Sequence, residues 1–166
     1  MSRKIARIGM MQTLFAMNHK GDYSLEMLNY FLEAPSDEEE ALSIHEMYKE
    51  DKGIIVRDLV SHKFIEKEKQ YIRDHVPRIV EHLDEIDNEI STNLKKWTLE
   101  RLAQVDLAIL RVAVYEFLYC DDIPLAVSIN EAIDMAKNYS TLDSSKFING
   151  ILGTIARKYK ENDEPS

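Results

Sequence analysis

The sequence predicts an all-α fold within a single domain. Its 166 residues suffice for one hydrophobic core, and 45% of them are hydrophobic. Only five Gly and four Pro interrupt the chain, which favours long helices over many short elements. Good helix formers such as Leu, Ala, Met, Glu and Lys dominate, and no run of alternating β-branched residues indicates a strand.

The beginning of the chain predicts two helices. The first runs from Ser2 to His19, and Gly21 ends it. Its apolar stripe recurs at helical spacing and consists of Ile8, Met11, Leu14 and Phe15. A shorter helix covers Leu25–Leu32 and stops before Pro35.

The segment that follows is acidic. Residues 36–53 are rich in Asp and Glu and are compatible with either a solvated helix or a mobile loop. One helix with an exposed middle is predicted at 54–74. Pro77 then breaks the pattern, kinks it or starts the next helix, and the residues leave these alternatives open.

The central part of the chain predicts the core. An apolar stripe after Pro77 consists of Val80, Leu83, Ile86, Ile90, Leu94 and Trp97. Thr98 is expected to be an N-cap. The helix predicted at 102–118 is apolar nearly all round, which indicates a position at the centre of a bundle. Because unpaired buried charge is costly, its Arg111 and Glu116 are expected to pair internally or to face a partner.

Two further helices are predicted near the C-terminus. Ser128 and Glu131 have the spacing of a capping box that would open a helix ending at Tyr139. After a polar loop, the last helix is expected to begin near Asp143 or Ser144, where a carboxylate can cap the helix start.

The domain boundaries follow from these elements. One domain is expected at 1–160, and the polar residues 161–166 are expected to be a disordered tail. Cys120 is the only cysteine, so no intrachain disulfide can form, which fits a reducing compartment. With no signal peptide and no membrane-spanning apolar stretch in the sequence, a cytoplasmic protein is predicted.

The charge is distributed unevenly. A formal net charge of −9 argues against a generic nucleic-acid binder. Residues 1–21 nevertheless hold four Lys or Arg and no Asp or Glu. This basic start is compatible with a focused anion site or with an ordinary exposed helix turn.

No motif predicts a catalytic or metal site. The sequence contains no glycine-rich phosphate loop and no nucleotide fingerprint. His75 and His82 could share a helix face, but no acid or cysteine stands at metal-binding spacing, so both are interpreted as surface residues. We therefore expect no enzymatic activity, no metal and no cofactor.

The most specific pattern is an ordered series of residues between Leu94 and Leu152. It includes Trp97, Val105-Asp106, Ala108-Ile109-Leu110-Arg111, Tyr115-Glu116, Ile129-Asn130-Glu131-Ala132 and Ser145-Lys146-Phe147-Ile148-Asn149-Gly150-Ile151-Leu152. In the first helix Arg3, Ala6, Arg7, Gln12, Leu14 and Phe15 fit the same pattern. The chain thereby resembles the NusB family of bacterial transcription antitermination factors over residues 1–20 and 70–158.

This resemblance implies a bundle of about seven helices in two halves. It implies binding of single-stranded boxA RNA in ribosomal RNA transcripts, together with the ribosomal protein NusE, and action on RNA polymerase. The implied RNA contacts are Arg3, Lys4, Arg7, Asp143, Lys146 and Phe147, and the implied protein-partner face is formed by Phe15, Glu100 and Asp106. Phe147 could stack on a base or fill the core.

The resemblance leaves several features open. Residues 36–65 are an acidic insertion relative to typical members of the family. Some relatives are monomers and others dimers, so a homodimer is possible. One alternative function is an RNA-binding accessory subunit related to the N-terminal part of ribosomal RNA cytosine methyltransferases. Another is a protein-only scaffold that binds a basic partner through residues 36–51.

Overall fold

The computed structural model describes residues 1–33 and 64–163. Seven α-helices and one 3₁₀ turn lie within these residues, and no strand does. The helices are α1 (Arg3–Lys20), α2 (Leu25–Glu33), α3 (Glu66–Glu81), α4 (Leu83–Thr92), α5 (Gln104–Tyr119), α6 (Leu125–Tyr139) and α7 (Leu142–Asp163), and the 3₁₀ turn is Leu99–Arg101. The all-α prediction is therefore confirmed.

Helix α5 lies at the centre of the bundle. Every residue from Val105 to Phe117 is buried, as the apolar pattern predicted. Helices α1 and α4 pack on α5, and α2 and α3 pack on α1 and on each other. These helices form one half of the fold with α5. Helices α6 and α7 pack on each other and on α5, which forms the second half.

The start of α1 is fixed to the start of α3. The Ser2 hydroxyl accepts a hydrogen bond from the Ile5 N–H at 3.2 Å and caps α1. The buried Glu68 carboxylate accepts from the Ser2 N–H at 3.0 Å and from the Ile65 N–H at 3.1 Å. This carboxylate therefore satisfies N–H groups at both helix starts.

Helix α3 differs from its prediction in two ways. It begins at Glu66, so Phe64 and Ile65 precede it, whereas the pattern predicted one helix over 54–74; residues 54–63 lie outside the described part of the chain. The helix also continues through Pro77 and ends at Glu81. Val76 and Ile79 are fully buried beside this proline, and their burial offsets the one helical hydrogen bond that proline cannot donate.

The predicted capping box at Ser128 is wrong. Helix α6 begins at Leu125, directly after Pro124, so Ser128 lies inside the helix. Its hydroxyl donates to the Glu116 carboxylate at 2.7 Å and does not cap a helix. A tertiary contact thus uses the hydroxyl that the local pattern assigned to the helix start.

The beginning of α7 also differs from the prediction. Thr141 caps this helix, since its hydroxyl oxygen accepts from the Ser144 N–H at 3.0 Å. Asp143 lies in the first turn and is exposed. The helix extends to Asp163, into the segment predicted as a tail. Residues 164–166 lie outside the described residues, as do residues 36–63 of the predicted acidic insertion.

Trp97 behaves differently from the rest of the predicted apolar stripe. Ile86 and Ile90 are fully buried, whereas Trp97 is 54% exposed. Thr98 precedes the 3₁₀ turn but makes no side-chain capping hydrogen bond. Within residues 1–33 and 64–163, every helix is too short or too polar to span a bilayer.

Candidate nucleic-acid interface

The first turn of α1 presents two exposed cations. Arg3 lies 3.8 Å from the Asp122 carboxylate, and Lys4 lies 3.3 Å from that of Asp134. About half of each basic side chain remains exposed. Because exposed ion pairs are weak, a phosphate can compete with these carboxylates for both cations.

Arg7 lies in the interior, although the resemblance implied that it contacts RNA. Its Nε donates to a Glu116 carboxylate oxygen at 2.8 Å, and Ser128 donates to the other oxygen of the same carboxylate. Arg7 is 4% exposed and Glu116 is 2% exposed. Because α1 packs against α5 one turn after Arg3, the Arg7 guanidinium is buried in an internal ion pair. We therefore assign Arg7 no phosphate contact.

Arg111 forms a second internal pair. Its Nε and Nη2 donate to the two Asp87 oxygens at 2.9 and 2.8 Å, and its Nη1 donates to the Tyr23 hydroxyl at 3.1 Å. Of the two alternatives for Arg111 and Glu116, internal pairing is therefore confirmed.

A groove of about 290 Å³ lies between the N-terminal ends of α5 and α7. Its lining combines aromatic, apolar and charged side chains: Trp97, Arg101, Leu102, Ala103, Asp106, Asp143, Ser144 and Phe147. Phe147 is half-buried, so part of its ring packs on the core and part faces the groove. Lys146, its neighbour, is exposed.

Asp106 forms the polar floor of this groove. Its two carboxylate oxygens accept hydrogen bonds from the hydroxyls of Ser140 and Ser144, each at 2.8 Å. Burial raises the pKa of Asp106 above its ordinary value, while the hydroxyls of Ser144 and Ser140 act in the opposite direction. Asp106 therefore holds the loop before α7 against the start of α5.

The predicted protein-partner face is not one continuous surface. Phe15 is 1% exposed and packs in the core, so it cannot contact a partner in this conformation. Asp106 is 6% exposed and is reached only through the groove. Of the three residues, Glu100 alone is exposed. The helical spacing that placed Phe15 on an apolar stripe already favoured the core.

The groove adds Trp97, Arg101 and Ser144 to the candidate site. Trp97 was assigned to a buried stripe because it follows the apolar residues at helical spacing. Lys95 and Lys96, which precede it, are also exposed, and they were a local signal because lysines are rarely fully buried. The helix that carried the stripe ends at Thr92, so the periodicity no longer applies at Trp97.

The described residues show no grouping that could hold a metal ion, with three or more His, Cys, Asp or Glu side chains together. His75 is not a free surface residue: its Nδ1 lies 2.7 Å from the Tyr115 hydroxyl, and burial lowers the pKa of its imidazole. Cys120 is buried, and burial raises the pKa of its thiol. The contact between His75 and Tyr115 joins α3 to α5.

Comparison with known proteins decides the family. The NusB family model matches residues 41–157, more than half of the chain. The chain belongs to the NusB family. The transcription antitermination protein NusB of Finegoldia magna is 36% identical over 162 residues, which cover 98% of both proteins.

Solved NusB structures share this fold. T. maritima NusB is 33% identical with a TM-score of 0.66, over 95% of this chain and 92% of that one. A crystal structure of the antitermination factors NusB and NusE in complex with double-stranded RNA matches with a TM-score of 0.66. That match covers 95% of this chain and 97% of the other at 23% identity, which supports the fold alone.

Proposed function

We propose that the protein is an RNA-binding transcription antitermination factor without catalytic activity of its own. It binds single-stranded boxA RNA together with a NusE-type ribosomal protein and acts in the cytoplasm on elongating RNA polymerase. The proposal is supported by family membership and by the NusE and RNA found with a NusB of the same fold.

The observation that carries the proposal is the combination of side chains at the start of α7. Trp97 and Phe147 offer aromatic surface in one groove, and the exposed Lys146 stands beside it. Single-stranded RNA is commonly held by base stacking on aromatic rings and by cations at its phosphates. The first N–H groups of a helix, such as that of Asp143, also favour a phosphate.

The exposed cations of α1 extend this chemistry. Arg3 and Lys4 are the basic residues of the first turn that remain exposed. The net charge of the chain is −9, so most of its surface repels phosphates. A few exposed cations can therefore restrict RNA to one path. We therefore assign the RNA contacts to Arg3, Lys4, Lys146, Phe147 and the groove.

A titration of labelled boxA RNA, with and without NusE, tests this function. Lys146→Ala is expected to weaken RNA binding several-fold, because one charge-assisted phosphate contact is lost. Lys137→Ala, at an exposed lysine of α6, is the matched control and should leave the affinity unchanged. RNA binding that is absent under both conditions would contradict the proposal, and NusE binding without RNA would favour a protein-only scaffold.

The oligomeric state is a separate question. Light scattering on the free protein distinguishes a monomer from the homodimer found in some relatives. A dimer that dissociates when boxA RNA is added would indicate that the RNA interface is shared with the dimer interface.

A further inference from the structure

A second groove lies between α2 and α3, and the proposed function does not use it. Its volume is about 290 Å³. Met17, Leu28 and Val76 contribute an apolar floor and are at most 2% exposed. On the rim, the Leu25 side chain is 64% exposed. The groove can therefore accept an apolar side chain from outside.

The groove offers hydrogen-bond acceptors and carboxylates to an incoming molecule. Glu81 lines it, and no Lys or Arg does. Acceptors of this kind favour a partner that brings cationic donors.

Two more carboxylates flank the groove along the chain. Asp22 and Glu26 stand next to the lining residues Tyr23 and Leu25, and both are exposed. Among the described residues neither these two nor Glu81 forms an ion pair. Asp22 accepts a hydrogen bond from the Ser24 N–H at 2.9 Å and keeps its negative charge, so three charged carboxylates lie around one apolar depression.

The opposite end of the α2–α3 contact is already neutralised. Glu33 at the end of α2 pairs with Lys69, at 3.8 Å, and with Arg73 of α3. These cations join the two helices where they meet. The carboxylates around the groove have no such counterpart, so negative charge lies at its rim, close to the exposed Leu25.

We propose that this groove docks a basic amphipathic segment of a partner protein. An apolar side chain of the partner packs against Leu25 on the rim of the groove, and adjacent Lys or Arg side chains contact Glu81 and the flanking carboxylates. The phosphates of RNA would be repelled by the same carboxylates. This groove shares no lining residue with the groove at the start of α7, so the proposal does not depend on the proposed function.

A synthetic amphipathic helix made of Leu and Lys serves as the probe. Its labelled form is titrated with the full-length protein by fluorescence anisotropy at about 0.15 M salt, which screens distant charges. A twin peptide with Glu in place of Lys tests the charge requirement. The Lys peptide is expected to bind and the Glu peptide is not.

Leu25→Lys tests whether the probe occupies the groove. It should weaken binding of the Lys peptide about tenfold, because it removes apolar contact and adds repulsion. Val127→Lys is the matched control, since it makes the same change in charge at an exposed apolar residue of α6. Because Leu25 is largely exposed, the variant should fold, which circular dichroism verifies.

Glu81→Gln tests the carboxylate at the groove. It should weaken binding of the Lys peptide several-fold, whereas Asp121→Asn, at an exposed carboxylate before α6, should not.

The proposal is overturned if the two peptides bind alike, if neither binds, or if groove and control variants weaken binding equally. Self-association that Leu25→Lys abolishes would instead assign the groove to a second copy of this chain. The affinity of Leu25→Lys for boxA RNA should be unchanged. The docking proposal and the RNA-binding proposal can therefore fail independently.

Discussion

At the scale of single residues, the hydrogen-bond partners decide which side chains remain available for function. Arg3 and Arg7 are four positions apart on one helix, yet one is exposed and the other pairs with Glu116 inside the bundle. In the same way Thr141, and not Asp143, caps α7. The charge of Asp143 is therefore free to act on an approaching ligand.

Asp143→Asn should tighten RNA binding several-fold and change stability little. A carboxylate in the first turn of α7 repels a phosphate that approaches the helix N–H groups, and Asn removes this charge. Thr141→Ala should instead lower the free energy of unfolding by about 1 kcal/mol through the lost cap. RNA titration and urea unfolding of both variants separate the two effects; weaker RNA binding by Asp143→Asn would mean that the anion accepts a hydrogen bond from the RNA.

Asp106→Lys should chiefly destabilise the fold. It would bury a cation and leave the Ser140 and Ser144 hydroxyls without their acceptor, at a cost of about 3 kcal/mol or more. Glu100→Lys, at an exposed carboxylate, should keep the melting temperature and weaken binding of a basic NusE-type partner. Melting curves and pull-downs of both variants test whether Asp106 is structural and Glu100 contacts the partner. An unchanged melting temperature for Asp106→Lys would refute the structural role of Asp106.

The buried Asp106 should also give stability a measurable pH dependence. Its pKa in the folded state is raised above 3.8, so the folded state holds this proton to a higher pH than the unfolded state does. The free energy of unfolding should therefore fall as pH rises from 3.8 through the folded-state pKa, and level off above it. Urea unfolding across this pH range should show the fall in the free energy of unfolding for the wild type and not for Asp106→Asn, which lacks the titrating carboxyl group.

At the scale of helices, one buried polar network joins three elements. Arg7 of α1, Glu116 of α5 and Ser128 of α6 form a continuous chain of hydrogen bonds at 2.8 and 2.7 Å. Such a network fixes how α1 is rotated on the bundle. It thereby directs Arg3 and Lys4 outward, so the interior pair positions the exposed cations.

Removing one charge of the Arg7–Glu116 pair should lower the free energy of unfolding much more than removing both. Arg7→Met or Glu116→Leu alone leaves a buried charge unpaired and should lower the free energy of unfolding by about 3–5 kcal/mol. The double variant removes both charges and should recover a large part of that loss. Additive losses in a double-mutant cycle, measured by urea unfolding, would contradict direct coupling.

At the scale of the whole molecule, a few cations must act against a strongly acidic chain. Arg3, Lys4 and Lys146 are the exposed basic residues assigned to RNA, and Arg7 is no longer among them. The RNA-binding surface is therefore small, and groove contacts must supply part of the affinity.

The salt dependence of RNA binding should accordingly be shallow. Each phosphate contact on a single strand contributes about −0.7 to the slope of log affinity against log salt, so three cations predict about −2. Titrations at several salt concentrations measure this slope. A value near zero would remove the electrostatic role of these cations, and a steep slope would require basic residues elsewhere.

The sequence by itself determined the fold class, the central helix and the family. The nearly all-apolar run in α5, the paucity of Gly and Pro, and the ordered series from Leu94 to Leu152 are properties of neighbouring residues, which a pattern can capture. The groove residues Asp143, Lys146 and Phe147 were also named from that series. Their signals are local, so they did not require knowledge of distant contacts.

Only the tertiary structure decided which of the named residues face solvent. Arg7 and Asp106 are buried because other helices cover them, and Trp97 is exposed because the helix that carries the apolar stripe ends at Thr92. Ser128 lost its predicted capping role to a carboxylate twelve residues away. Spacing along the chain separates the apolar face of a helix from its polar face, but it does not show which helices meet across the bundle or which polar side chains they cover.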